Sequence, residues 1–263
     1  MDTLFKFAAK SNLFYKSSDE KLIWLETGRA LLERLKPVLV KSEKAEFTEM
    51  ADFLVSFDNF FDTLSHYLNE IELNITSVYW GTSVLELQMI VKALTNSCTA
   101  YQDVYNGADL RLRYYASDKT GRTWPFFELL INQKETLIEV EYGTLISVEE
   151  LSFIILEQSG GELALSVSPI QVAICPIRKE HLSHAEEIEI ILNERNIRTI
   201  LFMKGSLNSR IRHLSELKVP FIFIIGQEEI NEKKVALRVF GIGDTGQITI
   251  DEFFKKIFQN KLN

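Results

Sequence analysis

LNSRIRHLSELKVPFIFIIGQEEINEKKVALRVFGIGDTGQITIDEF, residues 207–253, sets the reading of this chain. Residues 206–217 carry helical spacing. PFIFIIG (220–226) is a continuous apolar run between Pro and Gly, KVALRVF (234–240) reads as a hairpin arm, and GIGDTG (241–246) reads as a turn. QITI (247–250) is a strand leading into a helix from Asp251 to Phe258. Upstream, IQVAICP (170–176) reads as a short buried strand, Glu180 to Asn193 as an amphipathic helix and RTILFM (198–203) as another strand. Strands alternating with helices predict a compact α/β domain with a mixed sheet and three helices over residues 168–263. The glycines of GIGDTG do not make a dinucleotide loop, since they lie between two strands rather than between a strand and a helix.

The boundary falls near SVSP (166–169), which leaves residues 1–167 as a second domain of α+β character. Leu22, Leu25, Leu31, Leu32 and Leu35 predict a helix from Asp19 to Lys36, capped by Ser18 and ended by Pro37. Met50, Phe53, Leu54, Phe57, Phe60, Phe61, Leu64 and Leu68 recur at threes and fours and predict a core-facing helix over 47–73. A third helix is read from Val84 to about Tyr105, so 38–100 is expected to be a helical segment. Leu110, Leu112 and Tyr114 then alternate, and FFELLI (126–131) and TLIEVEY (136–142) have strand character. Ser147 to Gln158 returns to helix and stops at Gly160-Gly161.

The net charge of −8 conceals an asymmetry. Residues 169–263 hold 14 Lys/Arg and 12 Asp/Glu, a balance of +2, whereas residues 1–168 hold 15 and 25, a balance of −10. Phosphate contact dominates nucleic-acid affinity, so any RNA contact is expected in the C-terminal part. No apolar run reaches the length of a membrane span, and the first residues lack a secretory pattern, so a cytoplasmic location is expected. Cys98 and Cys175 have no metal-ligand spacing, and Cys175, inside QVAIC, is expected in the core. His181 and His184 lie three apart, but no third ligand accompanies them; a solvated helix start is the expected reading.

The order of elements after residue 168 resembles the anticodon-binding domain shared by threonyl-, prolyl-, histidyl- and glycyl-tRNA synthetases. The details resemble the threonyl family most: Ile211-Arg212, Lys218-Val219-Pro220-Phe221, the strand ending at Gly226, Val235-Ala236-Leu237-Arg238 and Asp251-Glu252-Phe253. Upstream, SVEELSFIILEQSGGELALSVSP (147–169) is similar to the last helix of the class II catalytic domain and its exit. GRTW (121–124) resembles a strand turn that precedes it, and DEKLIWLETGRALLERL (19–35) resembles an earlier helix. The helices expected over 38–100 have no counterpart in this comparison. The resemblance implies an α/β protein with an α+β N-terminal part: a degenerate class II synthetase remnant with added helices, followed by an anticodon-binding domain.

The resemblance also implies what is missing. Where the family carries a Gly and an ATP-clamping Arg on its terminal helix, this chain has Ile146 and Glu150. The family's zinc-binding His corresponds to about Glu141, and the polar residues after GRTW become Pro125, Phe126 and Phe127. No cofactor and no metal are therefore expected, and no catalytic residue is assigned. Positions matching RNA-facing ones are Asn208, Arg210, Arg212, Glu228 and Arg238, and Lys204, at the end of the strand before them, joins the RNA-binding set; Arg210 and Arg212 straddle Ile211 at a helix start, where arginines and free N–H groups meet phosphate. Each arginine is otherwise a solvated surface residue. The family's glycine before the basic pair is Asn208 here. Phe240 stands beyond Arg238 where the family has a second basic residue; it is either a platform for an unpaired base or a core or partner contact. The leading expectation is a noncatalytic protein that binds tRNA or other structured RNA. The alternative is an accessory subunit docking a protein partner through 38–100 or the Phe240 edge, as the accessory subunit of mitochondrial DNA polymerase reuses this fold. A third reading has the chain completing an active site held on a second chain.

Overall fold

The computed structural model describes residues 14–16, 22–71, 73–82, 84–95, 98–104, 107–117 and 121–258. Strands β1 (Phe14–Lys16) and β2 (Leu22–Trp24) pair antiparallel, and helix α1 (Glu26–Leu35) follows. The helix expected from Asp19 thus begins later, because Ile23 and Trp24 suit a pleated strand. Its expected cap, Ser18, lies outside the described residues. Pro37 sits in a 3-10 turn, Lys36–Val38, directly after the helix.

Next come β3 (Glu43–Phe47), α2 (Met50–Glu70), β4 (Asn74–Thr82), α3 (Leu85–Leu94) and β5 (Thr99–Gln102). They are followed by β6 (Leu110–Ser117), β7 (Thr123–Gln133), β8 (Ile138–Thr144) and α4 (Val148–Gln158). The segment 38–100 is therefore not helical throughout, and the third helix ends at Leu94 rather than near Tyr105. Three of its elements are strands of one six-stranded sheet, ordered β3-β8-β7-β6-β4-β5 and antiparallel except for β4 with β5. Their polar and small residues give no clear alternation. The hydrogen bonds that make them strands come from partners outside each segment: β8 for β3, β6 for β4, and β4 for β5.

The sheet's core face follows the sequence closely. Strand β6 buries Leu110, Leu112, Tyr114 and Ala116 alternately, and α2 lays Phe53, Phe57, Phe61, Leu64 and Leu68 inward. The Phe61 and Tyr114 rings are 5.2 Å apart, and Tyr114 donates its hydroxyl hydrogen bond to the Leu94 carbonyl at 2.6 Å. Burial, with a smaller contribution from Cys98, holds the Tyr114 hydroxyl well above the usual tyrosine range.

After residue 168 the elements are β9 (Val172–Pro176), α5 (Leu182–Glu194), β10 (Thr199–Leu201), α6 (Leu207–Glu216) and β11 (Phe221–Ile225). Helix α7 (Gln227–Glu232), β12 (Val235–Val239), β13 (Gly243–Ile248) and α8 (Ile250–Phe258) complete the chain's described part. The five strands form one mixed sheet, β10-β9-β11-β12-β13, with β10, β9 and β11 parallel and the last two antiparallel. Among the described residues after 168 there are four α-helices rather than three, since the short α7 fills the step between β11 and β12. By contacts, Leu31–Val167 form one unit; Ser168 onward form the other, together with the described residues before Leu31.

Every residue of β9 is buried, which explains its unbroken apolar run: a central parallel strand is covered on both faces. On one face Phe253 of α8 meets Phe221 and Phe223 edge-on at 5.2 and 4.7 Å. On the other, Leu214 of α6 covers Ala173, Cys175, Val219 and Ile222. Burial, opposed in part by the Arg210 charge, pushes the Cys175 thiol up to about 11. The folded state therefore keeps a proton that the unfolded state gives up from about pH 9. Stability from this group is full below that pH and is lost as pH rises toward 11. Urea unfolding at pH 8 and pH 10.5 should show the wild type losing about 2 kcal/mol more than Cys175→Ala between the two.

Candidate nucleic-acid interface

Strand β12 buries Val235, Leu237 and Val239 and turns Ala236 and Arg238 outward, and β13 is exposed along most of its length. Arg238 lies level with Ile222, which belongs to the cluster beneath α6. The outward face of β12 is therefore the α6 side of the sheet, left open where the helix ends its cover.

Helix α6 starts at Ser206, whose hydroxyl accepts from the Ser209 N–H. Asn208, Arg212 and Ser215 follow at i, i+4 and i+7, which places them on one stripe of the helix. Ser215 and Arg238 line a common pocket of about 130 Å3, floored by Val219 and Ile222 and walled by Phe240 and Gly241. The helix stripe and the open strand face thus meet. Arg212 is 83% exposed, with Nε 3.1 Å from Glu216, and Arg238 is one-third exposed, with Nη1 3.6 Å from Asp244. Lys204 is exposed in the loop ahead of α6, and Glu228 is exposed on the first turn of α7. Asn208 and Arg212 thus share the α6 stripe that ends at Ser215 beside Arg238; Lys204 adjoins the start of the helix, and Glu228 stands on a separate element.

Arg210 differs from the expectation for it. Its residue is 3% exposed, and Nη1 donates to the carbonyls of Pro176 at 2.7 Å and Phe202 at 3.1 Å, while Nη2 reaches that of Ile177 at 3.4 Å. The guanidinium ties the C-terminal end of β9 to the exit of β10 and offers nothing to a ligand. A sequence signal existed: Leu207, Arg210, Leu214 and Leu217 share the apolar stripe of α6.

Two contributors were not visible in the sequence. Ser215 is an ordinary helix serine until the pocket is seen. Lys218 holds a left-handed backbone, φ 54°, in the step after α6, and its Nζ lies 5.9 Å from the Phe240 ring centroid. The histidine pair does not converge. His181 is buried and its Nδ1 accepts from the Arg178 N–H, while His184 faces Glu187 at 3.3 Å. Among the described residues no three His, Cys, Asp or Glu side chains are grouped to hold a metal, and no helix is long and apolar enough to cross a membrane.

In the other unit, Glu150 closes a capping box at the start of α4: its carboxylate accepts from the Ser147 N–H at 2.8 Å, and the Ser147 hydroxyl accepts from the Glu150 N–H at 3.2 Å. Glu141 is held across strands by Ser42 at 3.0 Å and Lys44 at 3.4 Å. Phe126 and Phe127 are fully buried.

Residues 171–260 match the anticodon binding domain family. The threonine--tRNA ligase of Campylobacter lari is 37% identical over 123 residues, covering 46% of this chain and 20% of the relative. That of Desulforamulus reducens is 28% identical over 171 residues, covering 57% of this chain and 27% of the relative. The chain thus spans about a fifth to a quarter of the length of the curated relatives it matches. Among solved structures, the RNA binding domain of threonyl-tRNA synthetase from Cryptosporidium parvum superposes with a TM-score of 0.72 at 14% identity, covering 99% of this chain and 98% of that one. The prolyl-tRNA synthetase of the same organism gives 0.61 at 17% identity, covering 84% of this chain and 48% of that one. These likenesses show the fold, and the first gives the segment 38–100 the fold counterpart that sequence comparison did not provide. The chain is threonyl-tRNA synthetase-like, and residues 171–260 of its C-terminal unit match the anticodon binding domain family.

Proposed function

We propose that this is a noncatalytic, cytoplasmic protein that binds tRNA or another structured RNA on the open face of its anticodon-binding domain. What supports this reading is the exposed α6 stripe of Asn208, Arg212 and Ser215, whose last member lines a pocket with Arg238. Arg212 and Lys204 serve phosphate, with Asn208 and Arg238 offering the polar edges that read a base. Glu228, exposed on α7, accepts from a base amine. Arg210 acts only by fixing the helix that carries the others. The charge balance, +2 after residue 168 against −10 before it, favours the same surface. The noncatalytic part of the proposal draws on Glu150 and Glu141. Each is acidic where the synthetase pattern calls for an ATP-binding arginine or a zinc ligand, and each is engaged in a structural contact.

Fluorescence anisotropy with unfractionated tRNA tests the binding. Affinity should fall roughly 10–50-fold between 50 and 200 mM salt, as two or three released phosphate counterions require. No binding at about 50 mM salt overturns the proposal. Amino-acid-dependent pyrophosphate exchange by the purified chain overturns its noncatalytic part.

A further inference from the structure

We propose that the edge strand β5 pairs with β5 of a second copy of this chain, antiparallel about a two-fold axis at Tyr101, so that the two sheets run on through a dimer interface. Strand β5 lies at the end of the six-stranded sheet, and Thr99, Ala100, Tyr101 and Gln102 are all exposed. The Asp103 N–H donates inward to the Trp80 carbonyl at 2.7 Å. The strand alternation then turns the backbone groups of Thr99 and Tyr101 toward β4 and those of Ala100 and Gln102 outward. Such a row of donors and acceptors is a template for one more strand. The opposite edge of the sheet is guarded, since β3 exposes Glu43, Lys44 and Glu46. Strand β5 has no such guard: it carries no charge, no proline and no shift of register.

The side chains select a second copy as the occupant. Tyr101 stacks on Tyr79 at 5.1 Å, and Tyr79 meets Tyr115 edge-on at 5.0 Å. Three rings on adjacent strands thus make a row that stops at the sheet edge, where Tyr101 is 47% exposed. With the axis at Tyr101, Ala100 exchanges backbone hydrogen bonds with Gln102 of the second copy, and Gln102 does so with its Ala100. Tyr101 then faces its own counterpart in the non-hydrogen-bonded position, where side chains approach most closely, and the row of rings continues across the interface. Thr99 falls opposite Asp103, and Cys98 opposite Val104, which is 87% exposed, so no like charges are opposed. An unrelated extended segment satisfies the backbone groups equally. The second copy also supplies the matching ring at the centre.

Sedimentation velocity of the full chain tests this, at about 150 mM salt to screen the net charge of −8 on each copy. Two short paired strands make a small interface, so the mean mass should rise from monomer toward dimer across about 5–500 µM. Gln102→Pro removes an outward N–H and leaves the β4 ladder intact, so it should stay monomeric with a melting temperature close to wild type. Tyr101→Lys and Tyr101→Glu should each weaken self-association about fivefold or more, because like charges meet at the axis, and an equimolar mixture of the two should dimerise again. Tyr101→Phe should match the wild type. A wild type that stays monomeric at about 500 µM overturns the inference. A dimer that survives Gln102→Pro, or charge variants that stay apart on mixing, overturns it equally by placing the interface elsewhere. The outcome is independent of whether the C-terminal unit binds RNA.

Discussion

Arg210→Ala is expected to destabilise the C-terminal unit by about 3–5 kcal/mol, the largest loss of any polar substitution in it. The side chain is buried and serves three carbonyls, those of Pro176, Ile177 and Phe202, gathered from the ends of two parallel strands. Truncation leaves these acceptors without their donors, and each unpaired buried polar group costs about 1–3 kcal/mol. Some water entry offsets part of the sum. Arg210→Lys should recover little of the loss, because an ammonium on a flexible stem cannot match the planar fork of donors. Arg212→Ala, two residues away on the same helix, should stay within about 0.5 kcal/mol of wild type, since its pairing with Glu216 is solvent-exposed. Urea unfolding of the three variants checks this. A loss below about 1 kcal/mol for Arg210→Ala would mean that the strand ends do not depend on the guanidinium.

The double charge reversal Arg212→Glu with Arg238→Glu has the opposite profile. Folding should be nearly unchanged, because both arginines sit in exposed or half-exposed ion pairs worth at most about 1 kcal/mol each. Binding of unfractionated tRNA at 50 mM salt should weaken by about 100-fold, and the salt slope should fall by about 1, since only Arg212 of the two serves phosphate. The weak pairs with Glu216 and Asp244 are what make these arginines available: RNA phosphate or a base edge displaces an exposed carboxylate at little cost. Retained tRNA affinity in a variant of unchanged melting temperature would place the RNA on another surface.

The two substitutions separate residues that the sequence presents as equivalent. Arg210 and Arg212 flank Ile211 in a basic helix start, and both match positions where RNA-facing residues are expected. On a helix, residues two apart point to opposite sides, so one of them belongs to the Leu207–Leu214 stripe and the other to the Asn208–Ser215 stripe. Spacing alone suffices to say that they part. The apolar stripe sets Arg210 inward, and what its guanidinium meets there depends on where the carbonyls of β9 end, more than thirty positions earlier in the chain. Glu150 gives a similar lesson: the motif Ser-Val-Glu-Glu is a readable capping box, yet only the pair of hydrogen bonds to Ser147 establishes what the carboxylate does.

By itself the sequence determined the elements whose apolar period is sustained. These are the buried stripe of α2, the alternation of β6, the unbroken runs of β9 and β11, and the order of strands and helices that defines the anticodon-binding domain. In these segments each residue's environment is set by its immediate neighbours, through a helical or strand period that reads directly as a buried face. Tertiary structure alone decided the rest. Strands β3 and β4 exist because β8 and β6 offer them hydrogen bonds and β5 because β4 does, the Arg210 guanidinium is satisfied because three strand-end carbonyls converge on it, and the pocket beside Phe240 exists because Ser215 of α6 and Arg238 of β12 come together. In each case the deciding partner is far away in sequence, and backbone groups and guanidinium donors carry no periodic signal by which a sequence could announce them.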